Sequence, residues 1–272
     1  MTLSDHHELI STVTELKSLL NTLAAVDLDN TLILPSTETG VHLPDVFDVN
    51  AAMAAGFSAE AVLVLSALPY FDASVRLGHS VSELVYIGCD QGAIESCREV
   101  LGKDAMMPPE ALSLTLSEGG YGIQYVYDTE EKVIYPWAPV LNTPPTEDED
   151  ESIGQGELYK YVAPKSPREA LQPVIDRFRK LHIIMRPLMV EEDMNLEFNE
   201  DDDYEHVLPE VVDPKDLKVW QAVMHLKDLY LECGWDVNSV KQTTFRRDEF
   251  LDKRRRYLLD FVQPLEDSDE DA

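Results

Sequence analysis

Cys89 has the position in this chain that is most typical of a catalytic nucleophile. It follows Gly88 at the end of a predicted strand, and the start of the helix predicted next in the chain would lower the pKa of a nearby thiol. The turn from Gly119 to Tyr121 could add polar groups to such a site. No G-x-S-x-G motif is present, and a small residue at a strand exit is more often structural. An enzyme with a site near Cys89 and this turn is therefore an alternative hypothesis.

The side chains that could bind metal ions lack the spacing of a metal site. Asp201, Asp202 and Asp203 are contiguous, so their carboxylates point apart, and no glycine follows where an EF-hand loop requires one. Glu205 and His206 could attract a divalent cation, but the sequence contains no HExxH or HxxxH pattern. The 3 cysteines are odd in number and form no CxxC pair. We expect no disulfide framework, no metal and no cofactor.

Phosphate-binding and nucleic-acid-binding motifs are also weak. Gly119, Gly120 and Gly122 form too short a run for GxGxxG, and they follow a predicted helix, whereas a dinucleotide site requires a strand before the loop. The basic run at residues 253–256 shares a predicted helix with acidic residues, including Asp252, at spacings of three and four. This spacing predicts ion pairs on a solvated helix face.

Net charge is the dominant feature of the composition. The 272 residues include 52 acidic and 22 basic residues, which gives a formal net charge of −30. Such a chain repels phosphate backbones and anionic membrane surfaces, and no apolar run approaches the ~20 residues that span a bilayer. We therefore expect a basic protein partner, with no direct binding to nucleic acid or membranes. Charge does not predict the oligomeric state.

Acidic segments supply most of the candidate partner-binding residues, because they can attract a basic protein. Two aromatic residues beside the predicted hairpin complete the set. The candidates are Glu147, Asp148, Glu149, Asp150, Asp201, Asp202, Asp203, Tyr121 and Trp137.

Apolar periodicity, caps and breakers place the elements that must position these residues. The predicted helices cover residues 4–25, 47–55, 59–68, 92–101, 109–117, 213–233 and 245–262, with another that begins at Ser166. Residues 32–34 and 84–88 are predicted strands, and residues 123–127 and 132–137 form the clearest hairpin. Pro173 should kink the helix that begins at Ser166 or delay its start.

These elements predict an α+β fold, with a small, mainly antiparallel sheet covered by helices and a helical C-terminal extension. We expect an N-terminal α+β region at residues 1–141 that includes the hairpin at 123–137. The remaining parts are an acidic loop at 142–156, a helix packing on the sheet at 157–190, an acidic disordered insert at 191–213, C-terminal helices at 214–265 and an acidic tail at 266–272.

Residues 107–137 resemble the SUKH superfamily (the Smi1/Knr4-like proteins). The similarity lies in Pro108-Pro109-Glu110 before a short helix, Glu118-Gly119-Gly120, and the two strands that end at Tyr135-Pro136-Trp137. A second patch, Ala163-Pro164-Lys165-Ser166, leads into a helix like the one that often follows that sheet. The resemblance implies an α+β protein that binds other proteins, and it carries over no catalytic residue. The whole chain also resembles proteins of unassigned function from filamentous fungi.

The leading hypothesis is a soluble intracellular binding module or regulatory scaffold that favours basic partners and has no catalytic activity of its own. One alternative is the enzyme near Cys89 described above. The other is an acidic chaperone for histone-like or ribosomal proteins. The N-terminus lacks a signal or transit peptide pattern, so we expect the cytoplasm or the nucleus.

Overall fold

The computed structural model describes residues 2–24, 32–71, 91–100, 105–115, 122–142, 153–184, 196–197 and 224–257. Within these ranges the chain is an α+β protein, in which helices surround a small antiparallel sheet. No helix of the described ranges is long and apolar enough to cross a membrane. The predicted strand at 84–88 and the acidic insert at 191–213 lie almost wholly outside the described residues.

The helices follow the apolar periodicity of the sequence. A 3-10 helix, Leu3–His6, leads directly into α1, and a second 3-10 helix, Gln155–Tyr161, precedes α6. The α-helices are α1 His7–Ala24, α2 Val49–Ala54, α3 Ala59–Ala67, α4 Gln91–Ser96, α5 Pro139–Asn142, α6 Pro167–Arg179, α7 with residues 224–232 described, and α8 Arg247–Tyr257.

Within the described ranges, the strands pair in antiparallel fashion in three small sheets. They are β1 Leu32–Ile33, β2 Tyr70–Phe71, β3 Ala111–Ser113, β4 Gln124–Asp128, β5 Val133–Trp137, β6 Ile183–Ile184 and β7 Leu196–Glu197. β3, β4 and β5 form the three-stranded sheet, in which Tyr127 pairs with both Leu112 and Ile134. The predicted hairpin is confirmed as β4 and β5.

Side-chain caps begin the helices where the sequence predicts them. The Ser58 hydroxyl accepts a hydrogen bond from the Ala61 amide at 3.1 Å at the start of α3. At α6, Ser166 and Glu169 form a reciprocal capping box. Because α6 begins at Pro167 and continues through Pro173, the second proline does not delay the start of the helix.

The main hydrophobic core lies between α1, α6 and one face of the sheet. Leu9, Leu16 and Leu20 recur at helical spacing on α1, and each is at most 2% exposed. α1 packs along α6, which presents the buried side chains of Val174 and Phe178. These contacts join the first helix to a segment more than 140 positions later in the chain.

An aromatic cluster attaches the C-terminal helices to the same core. The Tyr230 ring stacks on Phe250 with centroids 4.0 Å apart, and the Trp235 ring meets Tyr230 edge-on at 5.3 Å. The indole Nε1–H of Trp235 donates to the Arg179 carbonyl at 2.8 Å. This bond connects the loop after α7 to the end of α6.

The helix predicted at residues 109–117 is wrong. Pro109 and Glu110 form a turn, and β3 (Ala111–Ser113) follows with every residue buried. The Leu114 amide donates to the Tyr125 carbonyl at 2.7 Å, which continues the pairing with β4. A proline pair before an acidic residue favours a helix start locally, but pairing with a buried neighbouring strand decides the conformation here.

Two further details differ from the sequence-based expectation. α4 ends at Ser96 and not at residue 101, because the chain turns back and the Met107 amide donates to the Arg98 carbonyl at 2.7 Å. The spacing of Met224 and Leu231 in the helix predicted at 213–233 places Leu231 on its apolar face, but Leu231 is 44% exposed, and Leu229 and Tyr230 are buried instead.

Candidate functional site

The described cysteines are buried and do not resemble reactive thiols. Burial raises the pKa of the Cys97 thiol well above its usual range and also raises the pKa of Cys233. A raised pKa leaves little thiolate near neutral pH, and the thiolate is the nucleophilic form. Cys89 lies outside the described residues, as does the turn from Gly119 to Tyr121, so the catalytic hypothesis stays a prediction.

A buried chain of three polar side chains joins the N-terminus to the sheet. His6 is 1% exposed, its Nε2 lies 2.9 Å from Glu60 Oε1, and its Nδ1 lies 2.8 Å from the Tyr127 hydroxyl. Since a carboxylate only accepts hydrogen bonds, Nε2–H donates to Glu60, and Nδ1 shares a hydrogen bond with the Tyr127 hydroxyl. His6 is therefore a buried structural residue and not a solvated one.

Glu60, His6 and Tyr127 follow the order of a nucleophilic triad, which is carboxylate, imidazole and hydroxyl. The Tyr127 hydroxyl, however, is not activated as a nucleophile. Tyr127 is 1% exposed, and burial raises its pKa well above the usual range. A phenol that keeps its proton and has no open surface cannot attack a substrate. The chain of hydrogen bonds instead connects the first 3-10 helix, α3 and β4.

A buried lysine and a buried histidine hold the segment before β2. The Lys17 ammonium donates to the Pro69 carbonyl and lies 5.0 Å from the centroid of the Tyr70 ring. His42 Nε2 lies 2.6 Å from the Leu68 carbonyl oxygen. Burial lowers the pKa of both groups, that of Lys17 to about 7. Lys17 lies four residues after Val13 on the apolar face of α1, where a lysine is unusual.

Acidic side chains converge at the end of the β4–β5 hairpin, in a group that we call the acidic corner. It consists of Glu110, Asp128, Glu131 and Glu157. Asp128 ends β4, Glu131 lies in the turn, and Glu157 belongs to the second 3-10 helix. The Thr129 amide donates to the Glu110 carbonyl at 3.0 Å, which holds the loop before β3 against the turn. Three separate parts of the chain therefore build the acidic corner.

Hydrogen bonds orient several carboxylates of the acidic corner. The Tyr135 hydroxyl donates to Glu131 Oε2 at 2.7 Å, and Lys160 Nζ donates to Glu157 Oε1 at 2.7 Å. Burial raises the pKa of Asp128. The hydrogen bond that Lys160 donates to Glu157 raises the pKa of Lys160, and the charges of Asp128 and Glu131 raise it further. These groups therefore interact electrostatically.

Tyr159 lies beneath the acidic corner with an unusual hydroxyl. The residue is 0% exposed, its ring meets Tyr135 edge-on at 5.1 Å, and its hydroxyl has no hydrogen-bond partner within the described chain. Burial raises the pKa of Tyr159, and Asp128, Glu157 and Glu110 raise it further. The hydroxyl is therefore within electrostatic range of three carboxylates of the acidic corner, without a bond to any of them.

Most of the predicted partner-binding residues lie outside the described ranges. These are Glu147, Asp148, Glu149, Asp150, Asp201, Asp202, Asp203 and Tyr121. Trp137 is described, but it is 1% exposed and packs in a small second core with Tyr159 and Leu158. Its indole therefore offers no open surface to a partner in this structure.

In the basic run at residues 253–256, Lys253 and Arg256 form ion pairs, whereas Arg254 is buried. Lys253 Nζ lies 2.6 Å from Glu232 and 2.9 Å from Glu249, and Arg256 bonds to Asp252 at 3.0 Å. These pairs confirm the predicted ion-pair pattern. Arg254 differs, because it is 5% exposed, and burial lowers its pKa to about 10.

Comparison with known proteins found no match to a family model, a curated protein or a solved structure. The resemblance to the SUKH superfamily stays a prediction. Function must therefore be argued from the chemistry of this chain.

Proposed function

We propose that the protein is a binding module or regulatory scaffold that takes basic protein partners and has no catalytic activity of its own. The observation that carries the proposal is the charge, because 52 acidic residues against 22 basic ones give a net charge of −30. A field of this sign attracts cationic surfaces and raises their association rate.

The acidic corner supports the proposal on a local scale. Its four acidic residues, Glu110, Asp128, Glu131 and Glu157, lie near one end of the sheet, and Lys160 is ion-paired with Glu157. The hairpin that carries Asp128 and Glu131 is held by strand pairing along its whole length. Glu131 is exposed and Glu110 and Glu157 are half-buried, so these three residues can present negative charge to a basic protein segment, whereas Asp128 is only 2% exposed.

The test is affinity capture from cell extract with the intact protein as bait, at low and at moderate salt, followed by mass spectrometry. We expect a small set of basic proteins that are retained at low salt and lost at moderate salt, because salt screens interactions between exposed charges. The control bait is an unrelated protein of similar size and net charge. Retention of the same proteins by both baits, or retention that does not change with salt, would contradict the proposal.

The identity of the retained proteins separates two forms of the proposal. Histones or ribosomal proteins as the main partners would favour an acidic chaperone. A few basic proteins of other kinds would favour a regulatory scaffold.

A further inference from the structure

We propose that Lys17 and His42 form a pH-sensitive clamp, which holds residues 68–71 in place near neutral pH and releases them at mildly acidic pH. Residues 68–71 follow α3 and include β2. The clamp consists of the two basic side chains and the carbonyls of Leu68 and Pro69 that they bind. The inference goes beyond the proposed function and does not depend on it, since it concerns how the fold responds to protons.

Two basic side chains from separate parts of the chain bind consecutive carbonyls of this segment. Lys17, on α1, donates from Nζ to the Pro69 carbonyl. His42, in the loop before α2, has its Nε2 2.6 Å from the Leu68 carbonyl oxygen, and because a carbonyl only accepts, Nε2 carries the proton. Lys17 Nζ and the His42 ring centroid each lie 5.0 Å from the centroid of the Tyr70 ring. The two bases are therefore close neighbours on one segment.

Burial makes the charged forms of both bases unfavourable. Lys17 is 5% exposed and His42 is 8% exposed. A buried cation is costly unless an opposite charge compensates for the loss of water. The ion pairs formed among the described residues include neither side chain. Two positive charges in this position would also repel each other.

The titratable groups that face the clamp from neighbouring elements do not supply a negative charge near neutral pH. These groups are Cys97, which follows α4, and Tyr70 on β2. Burial raises the pKa of the Cys97 thiol and of the Tyr70 phenol well above their usual ranges, so both keep their protons. Glu99 acts on Cys97, but Glu99 is exposed to water.

The direction of the response follows from burial. Burial lowers the pKa of Lys17 to about 7 and lowers the pKa of His42 as well, and the charge of Lys17 lowers that of His42 further. Both bases therefore bind protons more tightly in water than in the clamp, so a fall in pH favours the state in which they reach water. At pH 8 both bases are largely neutral, and each can still donate its hydrogen bond.

A local opening of this segment disrupts little structure. β2 pairs with β1 through only two residue pairs, Leu32 with Phe71 and Ile33 with Tyr70. Movement of residues 68–71 away from α1 breaks these pairs and exposes both bases. Local openings of this size occur with a smaller free energy than unfolding of the whole molecule.

The experiment is hydrogen exchange of the intact protein at pH 6 and pH 8, read by mass spectrometry on a peptide that covers residues 64–71. Division of the exchange rates by the intrinsic chemical rates at each pH gives the opening constant of the segment. We expect this constant to be about tenfold larger at pH 6 than at pH 8 from Lys17, with a further increase from His42. At pH 6 it should exceed the opening constant of a peptide from the β4–β5 hairpin.

A double variant, Lys17→Met with His42→Gln, removes both titrating bases. The glutamine amide can still donate to the Leu68 carbonyl, and methionine is accommodated in an apolar site. The matched control is Lys241→Met with His7→Gln, which removes the same residue types at exposed positions. The opening constant of residues 64–71 should change by less than about twofold between the two pH values in the clamp variant, and by about tenfold or more in the control.

Three results would overturn the inference. The first is an opening constant for residues 64–71 that is the same at pH 6 and pH 8. The second is an equal opening constant for this segment and the hairpin at pH 6, which would show that the molecule opens only as a whole. The third is a pH response of the same size in the clamp variant and the control, which would assign the response to other groups. Partner binding is not measured, so none of these results bears on the proposed function.

Discussion

Replacement of Lys17 by methionine tests whether the buried amine is neutral in the folded protein. Lys17 is 5% exposed, and the Pro69 carbonyl is its hydrogen-bond acceptor. Burial lowers the pKa of this side chain from 10.5 to about 7. At pH 7 the unfolded chain binds the proton fully and the folded chain only in part, so folding includes the cost of losing this proton.

The magnitude follows from the two pKa values. The fall of the Lys17 pKa from 10.5 to about 7 destabilises the folded state by about 4 kcal/mol at pH 7, at 1.36 kcal/mol per pKa unit. This cost falls as the pH rises from about 7 to 10.5. In that range the unfolded chain binds more protons than the folded chain, so the stability of the protein increases with pH. Between pH 7 and pH 9 the unaltered protein should gain about 2 kcal/mol from Lys17 alone.

Lys17→Met removes this cost but leaves the Pro69 carbonyl without its donor, a loss of about 1–3 kcal/mol. The variant should therefore be more stable than the unaltered protein by about 1–3 kcal/mol at pH 7, and this advantage should shrink by about 2 kcal/mol at pH 9. Urea unfolding of both proteins at the two pH values measures the difference. Titrating groups that do not interact with Lys17 cancel between the two proteins, whereas Cys97 and His42 interact with Lys17 through their charges.

Lys241→Met is the matched control, because Lys241 is exposed and its ammonium is in contact with water. We expect its effect on stability to be within about 0.5 kcal/mol and to be the same at both pH values. An advantage of Lys17→Met that does not change between pH 7 and pH 9 would refute the reasoning, since it would show that the lysine keeps its proton in the folded state.

Three further substitutions test the packing and hydrogen bonding around the hairpin by urea unfolding. Gly156→Ala should destabilise the protein by about 1–3 kcal/mol, because the new Cβ would lie 2.4 Å from a main-chain oxygen. The control Gly154→Ala should cost less than about 1 kcal/mol, because its Cβ would lie 3.7 Å from the nearest atom. Equal costs would show that the loop moves aside. Lys132→Gly should stabilise by about 0.5–1 kcal/mol, since residue 132 has a φ of 62°, and a lower stability would contradict this. Tyr127→Phe should cost about 1–3 kcal/mol by leaving a buried imidazole nitrogen unpaired, and it should cost more than Tyr159→Phe, which loses no bond.

The elements that the sequence predicts well are those whose signals are local. The β4–β5 hairpin has alternating β-branched and aromatic residues on both sides of a polar turn, and α6 begins with a complete capping box at Ser166. β3 has no such signal. The turn at Pro109 and the strand after it depend on a partner strand, β4, that the local pattern does not include.

The polar residues of the interior were harder to predict, because each type is usually exposed. Lys17 and His6 are buried by contacts with segments distant in the chain, Arg254 is also buried, and a lysine on a helix is ordinarily assigned to the solvent face. A helical projection of α1 would have placed Lys17 between Val13 and Leu20 on the apolar face. The acidic corner has no sequence signature, because its carboxylates come from three separate segments.

The packing of α1 against α6 also has a consequence for folding during synthesis. The leucine face of α1 is complete once Ala24 has been made, but its partner helix begins at Pro167. At a translation rate of about 5–20 residues per second, the ribosome needs roughly 7–30 s to make the intervening chain. During that interval the apolar face of α1 lacks its native partner helix, so nascent-chain chaperones have time to bind it. Release of α1 from such chaperones should coincide with the emergence of α6 from the ribosome.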